Sequence, residues 1–179
     1  MRRRIQGLLC LVAALLLCAG CRAPSPTAYF SYRETAFCAE LCGKLRGVPF
    51  LARGTVEPRE NVYLVTLVFF EMPKGEPSSP LAGITVRAEL SREGRPRGSA
   101  ELICLNVKAE TDGEHVASLL LPLSLLLAPT EFSSVQRVAE GYCLCFSDGG
   151  EWWLDGEMRP REVHAAEVSF TVAWWETKF

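Results

Sequence analysis

The residues of this chain that could do chemistry or recognise a ligand are its cysteines, histidines and paired tryptophans, and their spacing narrows what that chemistry could be. Beyond residue 21 there are five cysteines, Cys38, Cys42, Cys104, Cys143 and Cys145. Five cannot all pair within one chain, whereas an exported disulfide framework usually shows an even count. Cys38 and Cys42 lie four apart in a segment that reads as a strand, so their Cα atoms are about 13 Å apart, beyond the reach of a bridge. Cys143 and Cys145 share a strand face at about 6.6 Å, a poor geometry for one. C-x₃-C with C-x-C is not the C-x₂-C spacing of a zinc knuckle. The leading expectation is mostly buried free thiols. Cross-strand pairs such as Cys42 with Cys143 stay open if their strands are neighbours, and a metal site is the weakest reading.

His115 and His164 are both distant in sequence from every one of these cysteines, which gives a Cys/His nucleophile no support. No G-x-S-x-G, S-x-x-K, H-E-x-x-H, P-loop or dinucleotide glycine fingerprint occurs. Carboxylates that could form a hydrolytic pair, Glu140 with Glu151 or Asp155, sit beside turns, where acidic groups are usually solvated. The expectation is a non-enzymatic protein with no cofactor and no metal, thiol redox chemistry being the remaining enzymatic alternative. Trp152-Trp153 and Trp174-Trp175 are the candidate ligand contacts. Neighbours on a strand face opposite ways, so one Trp of each pair should enter the core and the other point outward or into a groove. Packing across strands is the plainer account of both pairs; a flat platform for a sugar, peptide or acyl chain is the functional one.

One further cysteine stands apart. Arg2, Arg3 and Arg4 precede a run without charge from Leu8 to Ala19, and Ala19-Gly20 delivers small residues just before Cys21. Basic, apolar and small-residue regions in that order make an export signal, too short to span a bilayer. The segment resembles the bacterial lipoprotein signal peptide, with Cys18 standing where that family usually has Leu. The resemblance implies cleavage after residue 20 and lipidation of Cys21, which then anchors the chain on the extracytoplasmic face of a membrane. Two or three acyl chains hold a protein stably where one is marginal. Losing the signal takes Lys+Arg from 19 to 16 against 21 Asp+Glu, a net charge of −5. That balance argues against nucleic acid or an anionic lipid surface as the main partner.

What remains is long enough for one domain with a sizeable core. Residues 21–28 read as a lipidated start and tether, and residues 29–179 as a single β domain. From Tyr29 onward alternation prevails over a period of 3.6. "FCAELCGKL" (37–45) and the segment after Arg46-Gly47 read as a hairpin, and "VYLVTLVFF" (62–70) as a strand covered on both faces, the best candidate for the middle of the sheet. Residues 84–90 and 100–107 form the next hairpin; 136–140, 142–146, 151–155 and 163–175 supply the remaining strands. "EHVASLLLPLSLLLA" (114–128) is divided at Pro122 into an extended approach and a short apolar helix, because proline suits a first helical position. The expected fold is mainly β: a curled antiparallel sheet, or half-open barrel, of about eight or nine strands, the helix covering its concave face.

The segments 37–56, "SPLAGITV" (79–86) and "DGEMRPREVHAAEVSFTVAWWE" (155–176) give the domain a likeness to small uncharacterised bacterial lipoproteins. More remotely it resembles the periplasmic lipoprotein-carrier family, whose half-open barrel is covered by helices. That resemblance implies a cavity. The functional expectation is a binding or accessory domain for an apolar or amphipathic ligand on the concave side. The alternative is an envelope structural protein that docks a protein partner through sheet edges and exposed Trp residues.

Overall fold

The computed structural model describes residues 25–128 and 131–175. A 3-10 helix, Pro26–Glu34, leads into β1 (Phe37–Leu45), β2 (Val48–Pro58), β3 (Val62–Phe70), β4 (Thr85–Ser91), β5 (Pro96–Cys104) and β6 (Val107–Asp112). The helix α1 (Gly113–Leu127) follows, then β7 (Ser134–Val138), β8 (Gly141–Cys145), β9 (Glu151–Leu154), β10 (Pro160–Ala165) and β11 (Val168–Trp175). All eleven strands belong to one antiparallel sheet in the order β6-β5-β4-β3-β2-β1-β11-β10-β9-β8-β7. Two meanders, β1–β6 and β7–β11, are thus joined where the first and last strands pair. β6 and β7 are the two edges, so the sheet is open, and α1 carries the chain from one edge to the other.

The mainly β, antiparallel expectation holds, but the sheet has eleven strands, not eight or nine. Both extra strands come from turns that lack a glycine or proline marker. The segment 100–107 is broken by a two-residue turn at Leu105 and Asn106, with φ of 50° and 64°, which releases β6. The segment 163–175 is folded back between Ala165 and Val168, which pair with each other. The expected middle strand is also displaced: β3 lies fourth from the β6 edge, and β1 occupies the centre.

Period-two patterning decides what each strand buries. Along β3, Tyr63, Val65, Leu67 and Phe69 are at most 3% exposed. Leu64, Thr66 and Val68 on the other face are only half-buried and Phe70 is exposed, so one face of β3 is covered, not both. The same inner face takes Phe50, Ala52 and Val56 from β2 and Leu41 and Ala39 from β1. Leu144, Trp152, Val163 and Phe170 extend it through the second meander into a single core.

The helix α1 starts nine residues before the expected Pro122, which lies inside it. Asp112 caps its start, accepting from the Glu114 amide at 3.0 Å, and Val116, Leu120, Leu123 and Leu127 form a buried stripe. An interior proline costs about 3 kcal/mol. Burying Val and Leu side chains returns about 1.5–3 kcal/mol each, so the stripe outweighs the break. The helix lies on β3 to β6 and touches β11. Gly54 lets it approach: a Cβ there would stand 2.7 Å from Leu123 Cδ2. Among the described residues no helix is long and apolar enough to cross a membrane.

Candidate ligand groove at the rim of the sheet

The 3-10 helix occupies the chain from Pro26 and so takes in residues 26–28, the last three of the expected tether. Its three-residue repeat puts positions three apart on one edge. Tyr29 and Tyr32 form one such edge and turn into the core. Tyr29 meets Phe132 and Tyr142 edge-on at 5.6 and 5.4 Å; Tyr32 meets Phe37 and Trp174 at 5.9 and 5.0 Å. Thr27, Phe30 and Arg33 form the next edge and line a groove of about 820 Å³.

The groove runs between this helix, the end of α1 and the β3–β4 side of the sheet. Phe30, Tyr63, Leu127 and Phe132 give it an apolar wall; Arg33 and Arg92 are its cations. Glu34 and Glu131 stand at its mouth, exposed to water. Leu126, in the last turn of α1, has a carbonyl that the helix itself leaves without a partner. It accepts from Tyr32 Oη and from Arg33 Nε, each at 2.6 Å, which ties the 3-10 helix to the end of α1. Burial pushes the Tyr32 phenol up to about 12, so it remains the donor at neutral pH. A guanidinium at a helix C-terminus is further favoured by the helix dipole. Deeper under α1 the inner face is filled: Leu120, Leu123, Leu126, Phe50 and Phe69 are at most 1% exposed. Space for a ligand is therefore at the rim.

The three tryptophans whose side chains are described do not gather at this groove. Trp152 is buried in the core, behind Phe30 at 6.2 Å. Trp153 points the other way, 39% exposed on the outer face, where it lines a second groove of about 570 Å³ with Glu140, Arg161 and Glu162. Trp174 packs inward against Phe37 at 4.9 Å and donates its indole N–H to the Pro160 carbonyl. Trp175 pairs with Cys38 in the ladder, its side chain lying outside the described residues, as Cys21 does.

The thiols are dispersed. All five are free; Cys38 and Cys143 are buried, Cys145 half-buried, and Cys42 and Cys104 exposed. Mostly buried was thus too strong an expectation. Cys42 and Cys143 sit on β1 and β8, with β11, β10 and β9 between them, so the cross-strand bridge expected as one option does not form. Burial, reinforced by neighbouring Cys145, pushes the Cys143 thiol up to about 11, and burial raises that of Cys38. His115 and His164 are exposed, their ring nitrogens on Thr111 Oγ1 at 3.0 Å and Glu162 Oε1 at 2.7 Å. Among the described residues no three His, Cys, Asp or Glu side chains are placed to hold a metal.

Sequence reasoning missed Phe30, Arg33, Tyr63, Arg92, Leu127 and Phe132. The signal that could have found part of the wall is the spacing of three in Thr27, Phe30 and Arg33, which a helical turn aligns on one edge and a strand does not. No protein-family model matches the chain, and no curated protein matches it either.

Proposed function

We propose that the protein is a non-enzymatic binding module, held on the extracytoplasmic face of a membrane by acyl chains on Cys21, that takes an apolar or amphipathic small molecule. On this reading the inner face of the sheet is the concave side of a half-open barrel, α1 is its cover, and the ligand enters at the rim. The observation that carries the reading is the groove of about 820 Å³ walled by Phe30, Tyr63, Leu127 and Phe132. Small-molecule sites usually occupy about 300–1,000 Å³ and combine an apolar lining with a few placed polar groups. The five free thiols, of which only Cys42 and Cys104 are exposed, and the surface histidines offer no nucleophile beside a base among the described residues, which supports binding over catalysis.

Native mass spectrometry of protein extracted from its host membrane tests this. A small molecule is expected to accompany the wild-type chain and to be lost from Leu127→Glu, which places a charge in the apolar wall. A bare wild-type mass under mild extraction counts against ligand binding. The anchor is tested separately by labelling cells with a lipid precursor: wild type should incorporate label and Cys21→Ser should not, and equal labelling would remove the anchor from the account.

A second reading, docking of an envelope protein, draws on Trp153, exposed above the outer groove, and on the unpaired edges of β6 and β7. A photocrosslinker at position 153 should then capture one dominant protein in cells; a scatter of weak products would remove this reading.

A further inference from the structure

We propose that the rim groove selects an amphiphile with an oxyanion head, the acid on Arg33 and the chain along Phe30, Leu127 and Phe132. This rests on the groove being a ligand site and adds which chemistry it accepts. Arg33 is 6% exposed, yet it lines the groove. Its Nε is used by the Leu126 carbonyl, whereas its Nη2 is buried and has no hydrogen-bond acceptor among the described residues. Among the described residues no carboxylate forms an ion pair with it.

The ring of Phe30 lies 4.2 Å from the guanidinium carbon, which stabilises the charge without accepting an N–H. Buried donors are nearly always satisfied, and a charged one left without a partner is among the costliest vacancies a fold can hold. A carboxylate or phosphate oxygen matches the guanidinium fork and supplies both the acceptor and the counter-charge.

The other charges at the groove do not meet this need. Arg92 is 3.7 Å from Glu34 and 4.6 Å from the Tyr63 ring, and it donates to the Arg59 carbonyl. Glu34 and Glu131 are exposed at the mouth, where water and salt screen them from a bound acid. Arg33, beside the apolar wall and shielded from solvent, is the group that separates an acid from its neutral analogue. A long-chain carboxylic acid and a lipid phosphate present the same chemistry here.

The test compares hexadecanoic acid, hexadecyl phosphate and methyl hexadecanoate as displacers of a neutral apolar dye from the full chain. One of the two acids should bind at least about tenfold tighter than the ester, the ratio expected of one charge-assisted hydrogen bond, and the tighter acid identifies the head. Arg33→Met should bring that ratio close to one while ester binding persists, and Arg33→Lys should restore part of it. Equal binding of both acids and the ester by the wild-type chain overturns the proposal and leaves the groove as a ligand site. Failure of all three to displace the dye overturns the ligand site itself. The wild-type comparison needs no variant to fold.

Discussion

Trp152 is buried behind Phe30, and its neighbour Trp153 stands exposed on the outer face of the sheet. Alternation was enough to say that one of Trp152 and Trp153 would turn inward and the other outward, as they do, because neighbours on a strand face opposite ways; which of them is inside depends on the register of β9. Alternation could not say that Arg33 would be buried, since burial of a charged side chain depends on the partners that the fold supplies. The thiols give the clearest prediction at this scale. A thiolate is the species that reacts, and burial holds Cys143 and Cys38 in the protonated form. Their folded pKa values lie above the unfolded ones, so their protonated state favours the fold at neutral pH and that contribution fades as pH rises past the unfolded thiol range. At pH 8 an alkylating reagent should modify Cys42 and Cys104 rapidly in the native protein, and Cys38 and Cys143 only after urea is added. Mass-mapped labelling reads this directly, and rapid native modification of Cys143 would contradict the packing of β8 against β9.

At the scale of elements, the strands were legible wherever glycine or proline marked the turns between them, as at Arg46-Gly47 and at residues 147–150. They were illegible where a turn was built from other residues. Leu105 and Asn106 both adopt positive φ, the pattern of a type I′ turn, which Asn-Gly favours and leucine resists. Leu105 is also 87% exposed, so nothing packed against it offsets the strain. Replacing Leu105-Asn106 by Asn-Gly should raise unfolding free energy by about 1 kcal/mol, read as a higher midpoint in urea; a fall would mean that the leucine makes a contact of its own. Gly43 makes the opposite case. A Cβ there would stand 2.0 Å from the Ser169 carbonyl oxygen, backbone that cannot step aside at the β1–β11 junction. Gly43→Ala should therefore cost at least about 3 kcal/mol, near the upper end of single substitutions, or abolish soluble expression, whereas Gly47→Ala in the open turn should lose far less. The position of α1 was hidden for a different reason: Pro122 signals a helix start, and only the buried stripe from Val116 to Leu127 reveals that packing outweighs it.

For the whole molecule, patterning identified the class, mainly β with an open antiparallel sheet, because a period of two survives any arrangement of strands. The pairing of β1 with β11 and the seating of the 3-10 helix on the end of α1 are contacts between residues 93 or more apart in sequence, and no local pattern encodes them. Those contacts create the groove: Tyr32 and Arg33 fasten one wall to the Leu126 carbonyl, and the filled core beneath α1 confines free volume to the rim. Replacing Leu123, which is fully buried, by Ala should cost about 2–5 kcal/mol in urea unfolding yet leave ligand affinity nearly unchanged, because Leu123 does not line the groove. The most telling experiment is a structure of the protein at saturation with whichever of hexadecanoic acid and hexadecyl phosphate binds more tightly. The alkyl chain should lie against Phe30, Leu127 and Phe132 with an oxygen of the acid head within hydrogen-bond distance of Arg33 Nη2; an amphiphile seated instead on the outer face beside Trp153, or a rim left empty, would overturn the groove as its site.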